Sequence, residues 1–246
     1  MKLKEYLKQF SRNPKTRQKA RWRSVYQKAQ RCGVEVYKSN IGWLEDPEFL
    51  ALKKEWGDTP GLMGDRVYFL FATARAIRHI AGDTVDVGVR YGSSSFYILK
   101  GLADASRQHH IFDSFEGLSA PTENDRSATD KKIFWKQGAI KVEEEVTRQC
   151  LSMFSNCHYY KGWVPDRFNE VADKRFAFVH IDVDLHQPTH DSLAFFYERL
   201  NSGGVMVCDD YGLTTCPGAK KAVDEFFAGK ESVFSLPTGQ SLVVKR

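Results

Sequence analysis

The stretch that decides the fold runs Phe176-Ala-Phe-Val-His-Ile-Asp182-Val-Asp184, then His186-Gln-Pro188-Thr-His-Asp191, then Gly203-Gly204-Val-Met-Val-Cys-Asp209-Asp210-Tyr211. Two short runs of β-branched and aromatic residues each end in acid, and each reads as a buried parallel strand. Between them Pro188 suits a first helical turn, and Leu193, Phe196, Tyr197 and Leu200 recur at helical spacing. Asn201-Ser-Gly-Gly is read as the stop of that helix. A strand–helix–strand unit is almost always right-handed with parallel strands. Parallel strands bring their carboxyl ends to one sheet edge, where open α/β sheets bind ligands. Asp182, Asp209 and Asp210 therefore converge, although 27 residues separate Asp182 from Asp209.

Convergence has an electrostatic cost. Two carboxylates ~4 Å apart repel by roughly 4 kcal/mol at an effective dielectric of about 20. Protons or a cation must relieve it. Three aspartates offer hard oxygen ligands, which favours a divalent cation of the magnesium type over strand-end or helix-capping roles. Zinc is disfavoured, because no His or Cys pair has zinc-ligand spacing.

Upstream, Thr84-Val-Asp86-Val-Gly88-Val-Arg-Tyr-Gly92-Ser93-Ser94-Ser95 is a strand, a glycine turn and a helix start. The turn is G-x-x-x-G, not the dinucleotide fingerprint G-x-G-x-x-G. Gly88 and Gly92 allow close approach and unusual dihedrals, and Ser93 and Ser94 open a helix whose amides attract an anion. Asp86 is expected to meet an ammonium. The next strand ends at Asp113-Ser114, and a carboxylate there can take ribose hydroxyls. A third strand, from Cys157, ends in Lys161-Gly162-Trp163, with Trp163 suited to stacking on a purine or to core packing. Residues 119–140 are polar and read as a substrate loop. After Asp210, Pro217 to Phe227 reads as a helix, and Ser232–Leu236 and Ser241–Lys245 as two closing strands.

The 246 residues, 42% hydrophobic and 27% charged, suffice for one sizeable α/β domain and an appendage. The division expected is a basic helical extension or lid over residues 1–60 and a catalytic domain over 61–246. Residues 1–31 hold 11 Lys/Arg and only Glu5 as acid, a net +10, whereas the whole chain is +5. In this arm Trp22, Val25, Tyr26 and Ala29 share a helical face. The arm lacks nucleic-acid motif spacing, and the favoured reading is a packing element in a homodimer or larger assembly. Docking on an anionic surface is the other reading. Five scattered cysteines without a C-x-x-C pair fit a reducing cytoplasm. The first residues lack the apolar core of a signal peptide, and no run approaches the ~20 apolar residues of a membrane span.

The strings Asp113-Ser-Phe-Glu-Gly-Leu, His180-Ile-Asp-Val-Asp-Leu, Gly203-Gly-Val and Cys208-Asp-Asp-Tyr-Gly followed by Pro217-Gly-Ala resemble the macrocin O-methyltransferase family over roughly residues 60–246. The resemblance implies a Rossmann-like class I methyltransferase, with a mostly parallel seven-stranded sheet between helices. It implies magnesium-dependent methylation of a sugar hydroxyl on a small molecule, with S-adenosylmethionine as donor. It assigns Asp182, Asp209 and Asp210 to the metal, with Asp182 also as base. Asp86, Gly88 and Gly92 would hold the methionine end, and Asp113 the ribose. Ser93, Ser94, Ser114, Gly162 and Trp163 complete the expected cofactor contacts. His180 and His186 are further candidate bases. His186 and Tyr91 depart from the family pattern, which bears on the acceptor more than on the donor. The rivals are a glycosyltransferase using Asp182-x-Asp184 on a nucleotide sugar, and a non-catalytic adaptor docking through the basic arm.

Overall fold

A computed structural model describes Thr16, Trp43, residues 45–61 and residues 64–246. The basic-arm face of Trp22, Val25, Tyr26 and Ala29 lies outside the described residues. Two compact units divide the chain, residues 1–50 and 51–246. In the first, Asp46 Oδ1 accepts the Phe49 amide at 3.0 Å. That cap opens helix α1 (Pro47–Trp56), as the Asp-Pro-Glu start demands.

The second unit is a seven-stranded sheet. Its strands are β1 (Asp83–Val87), β2 (His109–Asp113), β3 (Cys157–Lys161), β4 (Phe176–Ile181), β5 (Leu200–Cys208), β6 (Phe234–Ser235) and β7 (Ser241–Val244). Their order is β3-β2-β1-β4-β5-β7-β6. The first five run parallel, while β7 is antiparallel to both β5 and β6. This is the mostly parallel α/β sheet expected, closed by a hairpin. Its helices are α2 (Gly64–Ala76), α3 (Ser93–Leu102), α4 (Glu144–Cys150), α5 (His186–Arg199) and α6 (Pro217–Phe227). Strand β5 begins at Leu200, so Asn201-Ser-Gly-Gly lies inside the strand instead of stopping the helix. Leu200 already pairs with Phe176, across a register irregularity that the two glycines accommodate.

Side-chain alternation sorts the sheet's two faces. Val85, Val179, Ile181, Met206 and Cys208 face one core with Leu193 and Phe196 of α5 and Val223 and Phe227 of α6. Phe178, Val205 and Val207 face the other, with Leu70 and Ala74 of α2 and Ile98 and Leu102 of α3. By the same parity Asp86 and His180 lie on the α2/α3 side. Register then aligns the strand ends. Val87 pairs with Ile181, and Ile181 with Cys208. The next residues, Gly88, Asp182 and Asp209, therefore lie abreast at the carboxyl edge. The Asp182 amide donates to Val87 O at 2.8 Å and the Asp209 amide to Ile181 O at 2.9 Å. No helix among the described residues is long and apolar enough to cross a membrane.

Candidate active site

At the switch between β1 and β4, where the strand order reverses, lies a cavity of about 280 Å³. Of the residues expected there, Gly88, Ser93, Ser94, Asp113, Ser114, Trp163, Asp182 and Asp210 line it. Asp86, Gly92, Gly162 and Asp209 do not.

Asp86 is fully buried and committed to protein partners. Its Oδ1 is 2.7 Å from His180 Nδ1, and its Oδ2 accepts the hydroxyls of Ser94 and Ser95, each at 2.6 Å. Burial alone would raise its pKa, but His180 and the serine hydrogen bond hold it below the usual carboxylate range. His180 shows the converse. Burial disfavours its charge, yet Asp86 and Asp209 outweigh burial and raise the imidazole to about 9. His180 is thus a buried cation tying β1 to β5, not a ring facing the cavity. His186 opens α5, with Nε2 2.9 Å from Glu225 Oε2, and it does not line the cavity either.

Gly92 has φ +88, and a Cβ built there would come within 2.8 Å of Leu151 Cδ1. It is a packing position behind the turn. A Cβ on Gly162 would lie 2.9 Å from Arg167 Cγ. Asp113 shapes the turn: its Oδ2 accepts the amides of Val89 at 2.9 Å and Arg90 at 3.1 Å, and its Oδ1 that of Phe115 at 2.7 Å. A carboxylate offers about four acceptor positions. Three are taken, which leaves room for one hydroxyl.

The acidic cluster has two layers. Ligand atoms of His180, Asp182 and Asp209 lie within 4.8 Å of one another, as do those of Asp184, Asp210 and Cys216. Burial, then the charges of Asp209, Asp210 and Asp184, push the Asp182 carboxyl well up. Burial, then Asp184 and Asp209, do the same to Asp210. These acids are under strong mutual repulsion, and a hard divalent cation fits such an oxygen-rich set. Asp184 adopts φ +58. Its amide donates to Asp210 Oδ2 at 3.0 Å, and its Oδ1 accepts Cys216 Sγ at 3.2 Å. Trp135 Nε1 in turn donates to Cys216 Sγ at 3.3 Å, linking the 119–140 loop to the cluster.

Sequence reasoning missed Arg66. Its guanidinium enters from α2, 7% exposed, and pairs with the Asp209 carboxylate. It also donates to the Asp209 carbonyl and lies 3.8 Å from Asp210 Oδ1. The one available signal was an arginine beside Val67 on the buried face of an amphipathic helix. Gln240 was also missed: its Nε2 donates to Asp209 Oδ1 at 2.6 Å.

A model of the macrocin O-methyltransferase (TylF) family matches residues 66–233. The 8-demethyl-8-(2,3-dimethoxy-alpha-L-rhamnosyl)-tetracenomycin-C 4'-O-methyltransferase of Streptomyces olivaceus is 29% identical over 149 residues, 57% of this chain and 57% of its own length. The demethyldecarbamoylnovobiocin O-methyltransferase of Streptomyces niveus is 28% identical over 159 residues, 61% of this chain and 60% of its own length. The match thus spans less than two thirds of either curated relative. Among solved structures, the O-methyltransferase NovP superposes with a TM-score of 0.60 at 22% identity, over 73% of this chain and 79% of that one. A calicheamicin methyltransferase superposes with a TM-score of 0.63 at 17% identity, over 86% and 94%. These two likenesses show the fold.

Proposed function

The chain belongs to the macrocin O-methyltransferase family, and on that premise we propose that it methylates a hydroxyl of a sugar or glycosylated small molecule. The donor is S-adenosylmethionine, and a divalent cation of the magnesium type assists. The observation that carries this reading is a cavity in which Asp182 and Asp210 meet the Gly88 turn and Asp113. A curated relative named for methylating a rhamnosyl-bearing compound supports a glycosidic acceptor.

Each residue has a task in this scheme. The turn at Gly88 and the amides opening α3 receive the anionic end of the donor. Asp113 holds the turn's amides and keeps one acceptor position for a ribose hydroxyl. Trp163 offers a ring face to the purine. Asp182 and Asp210 would hold the cation, backed by Asp209. When bound, the cation supplies Lewis acidity that lowers the pKa of an acceptor hydroxyl. Asp182, which lines the cavity beside that cation site, is the carboxylate placed to take that proton. Leu118, Ile140, Val142 and Leu213 give the cavity an apolar wall that limits water.

The test is transfer of labelled methyl from S-adenosylmethionine to a panel of glycosides, with and without chelator. Transfer that stops in chelator and returns with magnesium is expected. Calorimetric binding of a nucleotide sugar but not of S-adenosylmethionine would favour the glycosyltransferase instead. Asp113→Ala is expected to weaken donor binding by about 1.5–3 kcal/mol, the range for hydrogen bonds to a charged group. An unchanged dissociation constant would reduce Asp113 to a turn residue.

A further inference from the structure

We propose that Arg66 is a built-in counter-cation of the acidic cluster, competing with the divalent cation for Asp209. This rests on the cation reading above. Asp182, Asp184, Asp209 and Asp210 gather at one sheet edge; Arg66 and Arg90 both line the cavity, and Arg66 is the one whose guanidinium pairs with Asp209 and approaches Asp210. Asp209 shows what is contested. Its Oδ1 already accepts Gln240 Nε2 at 2.6 Å and lies 3.4 Å from His180 Nε2. Among the described residues its Oδ2 makes no hydrogen bond and meets the Arg66 charge. A metal ion drawing on Asp209 must share Oδ2 with the guanidinium or displace it, and two cations at one oxygen repel.

The guanidinium is also held at one end. Its Nη2 makes every contact with Asp209 and Asp210, while Nε is buried without a hydrogen bond among the described residues. Among the described residues, swinging Nη2 off the carboxylate therefore breaks hydrogen bonds and ion pairs to this cluster alone. Arg66 stabilises the cluster when no divalent cation is bound, and its displacement lowers the affinity for that cation. A purely structural arginine would act oppositely, since its loss would disorder the carboxylates and weaken metal binding.

The two roles differ in sign. R66Q keeps hydrogen-bonding capacity and removes the charge. In chelator it should melt several degrees below wild type. Calorimetric titration with magnesium or manganese alone should show a dissociation constant lower by about tenfold or more, because a like charge has left the site. The melting temperature should also rise more on adding metal than it does for wild type. R66Q that binds metal no more tightly than wild type overturns the proposal while leaving the metal site standing. Absence of metal binding in both proteins overturns both. If R66Q folds only with metal, recovery of the fold by the metal alone supports the proposal. If metal does not recover it, R66K, which keeps a charge with less reach, is titrated. Affinity above wild type then supports the proposal, and affinity equal to or below it overturns it.

Discussion

Asp182→Asn is expected to lower methyl transfer by about 10²–10³-fold or more, the scale seen when one preorganised electrostatic group leaves an active site. The same change should leave the fold intact or make it more stable. Asp182 lies among Asp209, Asp210 and Asp184, and burial and their charges push its carboxyl well up. An amide of the same shape relieves that repulsion. Asp210→Asn should behave likewise, since an amide oxygen can still accept the Asp184 amide. Asp86→Asn is the informative contrast. Asp86 is paired with His180 and two serines, so neutralising it strands a buried imidazolium. Breaking one partner of a buried pair typically costs about 3–5 kcal/mol. Turnover with magnesium present and thermal melts of the three variants check this pattern. An Asp182→Asn protein that melts far below wild type would show that the carboxylate serves the fold, and near-normal turnover would remove it from the chemistry.

Gly88→Ala is expected to destabilise the protein by roughly 2–6 kcal/mol, summing positive-φ strain and overpacking. Gly88 has φ +83, and a Cβ built there would lie 2.0 Å from the Asp182 carbonyl oxygen. That oxygen has little room to retreat, because the Asp182 amide is bonded to Val87 O at 2.8 Å. The clash is backbone against backbone, so no rotamer change relieves it. Any shift that did would carry Asp182 with it. Donor affinity and methyl transfer should therefore fall together with stability. Denaturant unfolding measures the first effect and calorimetry the second. A variant within about 0.5 kcal/mol of wild type, the range of ordinary surface changes, would mean that the β1–β4 edge is looser than its ladder implies.

Much of this molecule was legible in the chain because the relevant signals are local. Short apolar runs ending in acid identify β1, β2, β4 and β5, and the handedness of strand–helix–strand units brings their ends to one edge. The edge placement of Asp113, Asp182, Asp209 and Asp210 follows from that alone, and the family match bears out the resemblance that those strings carried.

Tertiary structure decided which of these charges face the cavity and which face one another. Asp86 is the penultimate residue of β1 and Asp113 the last of β2, yet one is locked to His180 and the other lines the cavity. The difference lies in strand parity and in Ser94 and Ser95 of α3 packing over Asp86. Arg66 stands 143 residues from Asp209. No periodicity links an arginine on α2 to the end of β5. Only packing of that helix on the sheet puts its guanidinium among the carboxylates. Pairing between buried charges is set by distances of a few ångströms across elements remote in sequence, and in a low-dielectric interior those distances determine which groups stay charged.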